Sequence, residues 1–224
     1  MKVNYSKQTL KTPNPIARFA HTKRYQLSTG RVLKYLGDKQ TLLDYGCGKG
    51  DFLNEIFELR NDAKLLGYDP ESGHFSERYN IITDTDKIPD NSVDVFCSFE
   101  TLEHLYQTER NRLYAEAMRV LKTSGTIIIS IPIIGGPTLL LKEVNRILLF
   151  KRRSDYTPKE LLAASFFGIP AVRPDDLRVT HKGFNFRTIE KELSSNFSIK
   201  NRFYSPFTAL PWYLNSQVFY VLEK

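Results

Sequence analysis

The run from Thr41 to Asp51, Thr-Leu-Leu-Asp-Tyr-Gly-Cys-Gly-Lys-Gly-Asp, constrains the fold of this chain more than any other stretch. Leu42 and Leu43 read as the end of a buried strand of the parallel kind, where apolar residues run almost without interruption. Gly46, Gly48 and Gly50 then alternate, and Phe52, Leu53, Ile56 and Phe57 supply the spacing of a helix that starts at once. A strand that turns through glycines into a helix lets backbone N–H groups approach a ligand closely. The spacing also selects among ligands. A dinucleotide fingerprint needs Gly-x-Gly-x-x-Gly, and Asp51 stands where its last glycine would be, which disfavours a nicotinamide-dependent oxidoreductase.

Further punctuation follows in order. Lys64-Leu-Leu-Gly-Tyr-Asp69-Pro70 reads as a short strand ending in an acid, 19 residues beyond Gly50. A carboxylate at that place can accept both hydroxyls of a ribose. The stretches Tyr79-Asn-Ile-Ile-Thr-Asp84-Thr85-Asp86, Ile88 to Ser98 and Leu121 to Pro132, which a family resemblance reads as further strands, flank an amphipathic helix over residues 106 to 121. Strands alternating with helices imply a doubly wound, mostly parallel sheet.

Taken together these motifs resemble those of the class I S-adenosylmethionine-dependent methyltransferases, and in particular their ubiquinone-biosynthesis and small-molecule O-methyltransferase branch. The resemblance covers residues 41 to 132 closely and 181 to 224 loosely. It implies an α/β, Rossmann-like sheet of seven strands, mostly parallel, with helices on both faces and an antiparallel C-terminal hairpin. Four parts are expected: an arm and cofactor-covering helix over 1–40, the S-adenosylmethionine-binding core over 41–132, a substrate-side insertion or lid over 133–180, and the rest of the core over 181–224. The cofactor residues it implies are Asp44, Gly46, Cys47, Gly48 and Gly50 at the turn, Asp69 and Pro70 at the ribose, Asp84 and Thr85 at the adenine, and Phe99. Asp94 is expected to be structural.

Glu100, Glu103 and His104 follow the fourth strand of the core, with spacing that puts them on one face if that stretch is helical. His181 opens a later segment. Methyl transfer is an in-line displacement at a sulfonium, so the protein mainly positions an acceptor and removes its proton. His104, His181 and Glu100 are the candidate catalytic residues, since an imidazole accepts a proton near neutral pH. The Glu-x-x-Glu-His pattern with a distant His also resembles the small-RNA 3′-end 2′-O-methyltransferases, which makes Glu100, Glu103, His104 and His181 a candidate set for Mg²⁺, Mn²⁺ or Zn²⁺ that would lower the pKa of an acceptor hydroxyl.

The insertion carries a helical stripe of Leu140, Leu141, Val144, Ile147 and Leu148, with Lys142, Asn145 and Arg146 opposite and Lys151-Arg-Arg153 at its end. The first reading is a lid helix packed on the domain. The second is a basic amphipathic helix lying on an anionic membrane.

Composition narrows the rest. A chain of 224 residues with 41% hydrophobic and 25% charged residues is an ordinary globular protein. Cys47 and Cys97 lack the spacing of a disulfide framework or a metal site and are expected simply to pack. No signal peptide or membrane span is read, so the expected location is the cytoplasm or the inner membrane surface. The net charge of +7 hints at anionic partners. No basic stripe interleaved with aromatics is present, so nucleic acid is not expected. The sequence therefore points to a methyltransferase acting on a hydroxyl of a small metabolite, glycan or lipid-linked intermediate. The alternatives are a metal-assisted RNA 2′-O-methyltransferase and a non-catalytic protein keeping the same fold.

Overall fold

Strand β1 (Thr41–Tyr45) is flanked by strands on both sides, and four of its five side chains are buried, which demands cover on both faces of the sheet. The computed structural model describes residues 15–151, 153–178 and 180–224. Expectations that fell on residues 1–14 of the arm and on Arg152 lie outside the described residues. Parallel to β1 run β2 (Lys64–Tyr68), with Leu43 opposite Leu66, and β5 (Val93–Phe99), with Leu43 opposite Phe96. Outward from β2 come β4 (Asn80–Ile82) and the two-residue β3 (His74–Phe75). Outward from β5 come β6 (Leu121–Pro132), β8 (Gln217–Glu223) and β7 (Ser198–Ser205), giving the order β3-β4-β2-β1-β5-β6-β8-β7.

The expected mixed sheet with antiparallel C-terminal strands is present. Its eighth strand, β3, is an edge addition that a two-residue segment could not announce in the sequence. The chain leaves β1 toward β2 and later returns to its other side at β5. The strand order therefore reverses at β1 and β5, and the carboxyl ends of these strands form the crevice where open α/β sheets bind ligands.

Helix α1 (Pro15–Tyr35) falls in the part where a helix is expected before β1, and its end carries Val32 into the core, with Leu36 following. Helix α2 (Asp51–Leu59) starts directly after Gly50 and buries Leu53 and Ile56. These four side chains meet Leu42, Leu65, Ile81, Val95 and Cys97 in one cluster, with Cys47 packed at its margin. Both cysteines are free and pack as expected. Helix α3 (Gln107–Val120) buries Leu113, Tyr114, Ala117 and Val120 at helical spacing, and Glu109 accepts the Tyr106 N–H at 2.8 Å to cap its start. Asp94 is structural: it accepts from the Thr41 N–H at 2.9 Å and from the Lys122 ammonium at 2.8 Å.

The remaining helices are α4 (Pro137–Phe150), α5 (Pro158–Leu162), which runs on into a π-helical turn (Ala163–Phe167), and α6 (Phe186–Asn196). The chain divides into two compact units. One, the core unit, comprises Ser28–Ile131, Thr188–Arg202 and Phe219–Lys224; the other, the insertion unit, comprises the described residues up to Leu27, Pro132–Arg187 and Phe203–Val218.

Candidate cofactor site and the insertion

The glycine turn follows β1 in the core unit. Gly46 and Cys47 donate their N–H groups to the Tyr68 carbonyl at 2.7 and 3.2 Å, which ties the turn to the end of β2. Gly46 has φ 86°, and a Cβ there would lie 2.4 Å from the Thr101 hydroxyl oxygen, so the turn closes against the segment after β5. Gly48 has φ 56°, yet a Cβ there would meet no atom within 4 Å. Its glycine is demanded by backbone geometry, and the bare backbone is approachable from outside. Gly50, at φ 82°, caps α2.

Asp69 stands opposite. One carboxylate oxygen accepts the Gly48 N–H at 3.0 Å and the other accepts the Glu71 N–H at 2.9 Å. The half-buried carboxylate is thus oriented by backbone on both oxygens and keeps lone pairs for hydroxyl donors. Pro70 beside it is exposed.

Asp44 sits differently. It is buried at the end of β1, where the Cys97 thiol donates to it at 3.6 Å. Desolvation raises its pKa to about 7, with the neighbouring Asp69 charge adding to the rise. Asp44 therefore supports the turn from beneath. Burial likewise pushes the Cys47 thiol far above its ordinary pKa, which excludes a thiolate nucleophile there.

Asp84 accepts the Asp86 N–H at 3.1 Å and caps the 3₁₀ turn Thr85–Lys87. Thr85 is buried, and its hydroxyl oxygen has no hydrogen-bond partner among the described residues. The turn is pinned by Arg119, which donates to the carbonyls of Thr85 at 2.9 Å and Ile88 at 2.7 Å while pairing with Glu116 and Asp90. Phe99, half-buried at the end of β5, meets Phe52 edge to face at 5.1 Å.

The stretch after β5 is not the helix that would put three side chains on one face. Glu100 has φ 53° and donates its N–H to the Ser130 carbonyl at 3.2 Å. Only Leu102–His104 form a single 3₁₀ turn, closed by the His104 N–H on the Thr101 carbonyl at 2.9 Å. Glu103 is fully buried and His104 half-buried. Glu100, with its left-handed φ, therefore precedes the turn that carries the other two. His181 belongs to the insertion unit, where its carbonyl accepts the Phe184 N–H at 3.1 Å. Thr101 and Arg119 are site residues that sequence reasoning missed, since both act on partners distant along the chain.

Helix α4 reverses the lid expectation. Leu141, Val144, Ile147 and Leu148 are between 40% and 70% exposed, while Leu139 and Glu143 are buried at 3% and 6%. The inward side is held by polar contacts: the Ser154 hydroxyl donates to Glu143 at 2.5 Å, and Arg146 pairs with Asp155 at 2.8 Å. Four of the five residues of the apolar stripe face out, and Leu140 is half-buried.

Comparison with known proteins agrees with the geometry. Residues 43–129 match the family model of a methyltransferase domain. A probable S-adenosylmethionine-dependent methyltransferase of Mycobacterium tuberculosis is 31% identical over 98 residues, which is 41% of this chain and 35% of that protein. The chain thus matches about a third of the length of its curated relatives. Among solved structures, the PH0226 protein of Pyrococcus horikoshii is similar in fold, with a TM-score of 0.61, 17% identity and 99% of both chains covered. The magnesium protoporphyrin IX methyltransferase of Synechocystis, solved with bound S-adenosylhomocysteine, has a TM-score of 0.57 at 13% identity, covering 95% of this chain and 89% of that one. The chain carries a methyltransferase domain. That match over residues 43–129 agrees with the resemblance of the motif order to the class I S-adenosylmethionine-dependent methyltransferases.

Proposed function

We propose that the chain is an active S-adenosylmethionine-dependent methyltransferase whose acceptor is a hydroxyl on a small metabolite, glycan or lipid-linked intermediate. The observation that carries the reading is the pairing of Gly48 with Asp69, an approachable stretch of bare backbone beside a carboxylate already oriented by two N–H groups. These residues fit the cofactor: Asp69 would accept the ribose hydroxyls, the turn from Gly46 to Gly50 would pass the amino-acid end, and Asp84 with Thr85 would border the adenine. Bound there, the cofactor supplies a methyl group on a sulfonium. The chain's own task is to hold the acceptor in line and to take its proton, for which His104 and His181 are the proposed bases and Glu100 a proposed partner. A divalent ion held by Glu100, Glu103, His104 and His181 stays a proposal read from the sequence.

We further propose peripheral contact with an anionic membrane. Fourteen of the eighteen large apolar side chains exposed among the described residues belong to the insertion unit. Its described residues carry twelve Lys and Arg against five Asp and Glu, whereas the core unit carries sixteen against twenty. Exposed apolar area with excess positive charge suits a surface of acidic lipid. No helix among the described residues is long and apolar enough to cross a membrane.

The test is calorimetric titration of S-adenosylhomocysteine, without and with Mg²⁺, Mn²⁺ or Zn²⁺. Saturable binding that Asp69→Ala abolishes in a folded protein supports the cofactor site, and unchanged affinity in that variant sinks it. A separate metal signal lost in His104→Ala would support the ion.

A further inference from the structure

A shallow, open pocket with a cavity volume of about 20 Å³ lies wholly within the insertion unit. Ile134, Ile169, Phe184, Phe186 and Trp212 give it apolar walls, and Arg187 stands among them. The Arg187 guanidinium lies 4.4 Å from the centre of the Trp212 ring and 5.2 Å from that of Phe186. Arg60, Arg78, Arg110, Arg119, Arg146 and Arg202 each pair with a carboxylate, whereas Arg187 pairs with none among the described residues. Stacking over an indole uses the face of the guanidinium and fixes its plane, leaving the N–H groups along its edge for a ligand. Those donors match the spacing of two oxygens on a phosphate or carboxylate.

The backbone around it is arranged to match. Gly168, at φ 66°, ends the π-helical turn, and a Cβ there would lie 3.7 Å from Trp212 and 3.8 Å from Arg187. A side chain there would rest against both groups on a left-handed backbone that favours glycine, and π-helical segments often mark functional sites. The Asn185 side chain also lines the pocket and accepts the Arg187 N–H at 3.1 Å, which fixes the residue that presents the cation.

We infer that this pocket binds an oxyanion carried on an apolar body, with Arg187 gripping the phosphate or carboxylate and the exposed Ile169 and the Trp212 ring bordering the apolar body at the mouth. The binding claim stands on the pocket alone. Its use as the seat of the methyl acceptor rests on the function proposed above.

Trp212 is the only tryptophan of the chain, so its emission reports on this pocket directly. The experiment titrates the full chain with octyl phosphate, octanoate and octanol, in the presence and absence of S-adenosylhomocysteine. Expected is a saturable emission change with one or both anions, marking which oxyanion is taken, and at least tenfold weaker binding of octanol. Arg187→Gln, at an exposed position, should weaken the anion by about tenfold or more, and Arg187→Lys, which keeps charge but loses the fork, by less. Equal binding of octanol, unchanged affinity in Arg187→Gln, or no saturable emission change overturns the inference. A silent Trp212 with intact S-adenosylhomocysteine binding rejects the pocket alone. An anion response with no S-adenosylhomocysteine binding rejects the cofactor reading alone.

Discussion

Gly48 donates its backbone N–H to the Asp69 carboxylate at 3.0 Å, across 21 residues of chain, so the turn after β1 and the acid after β2 are joined directly. Asp69→Asn keeps the shape but replaces one acceptor oxygen with a donor that faces an N–H. Affinity for S-adenosylhomocysteine should fall about ten- to a hundredfold, with thermal stability nearly unchanged at this half-buried site. Calorimetry beside a melting curve checks both.

Gly46 and Thr101 make a second such pair. Gly46→Ala would place a Cβ 2.4 Å from the Thr101 oxygen while holding a side chain at φ 86°. The expected cost is about 2–4 kcal/mol from overpacking and backbone strain together. Thr101→Ala removes the nearest atoms and should recover part of that loss, but not the strain. A double-mutant cycle by denaturant unfolding measures the coupling, and additive effects would place the clash elsewhere.

The raised pKa of Asp44 predicts a pH dependence with a definite sign. The folded protein holds this proton up to about pH 7, whereas the unfolded chain releases it near 3.8. The contribution is therefore fully present below 3.8 and is lost as pH rises through about 7. The slope approaches about 1.4 kcal/mol per pH unit inside that window. Asp44→Asn should flatten this part of the stability curve, and an unaltered slope would assign it to other groups.

The orientation of α4 separates two otherwise similar substitutions. Leu139→Ala, on the buried side, should cost about 2–4 kcal/mol, whereas Leu148→Ala, 70% exposed, should cost almost nothing. Co-sedimentation with vesicles of acidic lipid should weaken on Leu148→Glu and on Lys151→Glu with Arg153→Glu, and should fade as salt rises. Sedimentation indifferent to these changes would remove the membrane contact.

What the sequence made legible was local. The glycines, the apolar strand runs and the acid beyond β2 each act within one strand–turn–helix step, so their spacing carries their meaning. Thr101 against Gly46 and Arg119 against Thr85 act across 55 and 34 residues, and no spacing rule encodes such contacts. The stripe on α4 was visible, but a hydrophobic face has no arrow. Its direction is set by Glu143 and Arg146, whose partners Ser154 and Asp155 come after the helix ends. The helical spacing of Glu100, Glu103 and His104 misled because a left-handed φ at Glu100 breaks the turn, and glutamate gives no warning of it.

The two thiols of the chain sit at different depths. Cys97 is sealed beside Asp44 in the middle of β5, and Cys47 is half-buried at the rim of the glycine turn. Burial suppresses the thiolate of both, so an alkylating reagent can react quickly only when the surrounding structure opens. The pair amounts to two built-in clocks. Labelling of Cys47 times the local loosening of the ligand turn, labelling of Cys97 times the rupture of the sheet, and the ratio of the two rates measures how far the turn can breathe while the sheet stays shut.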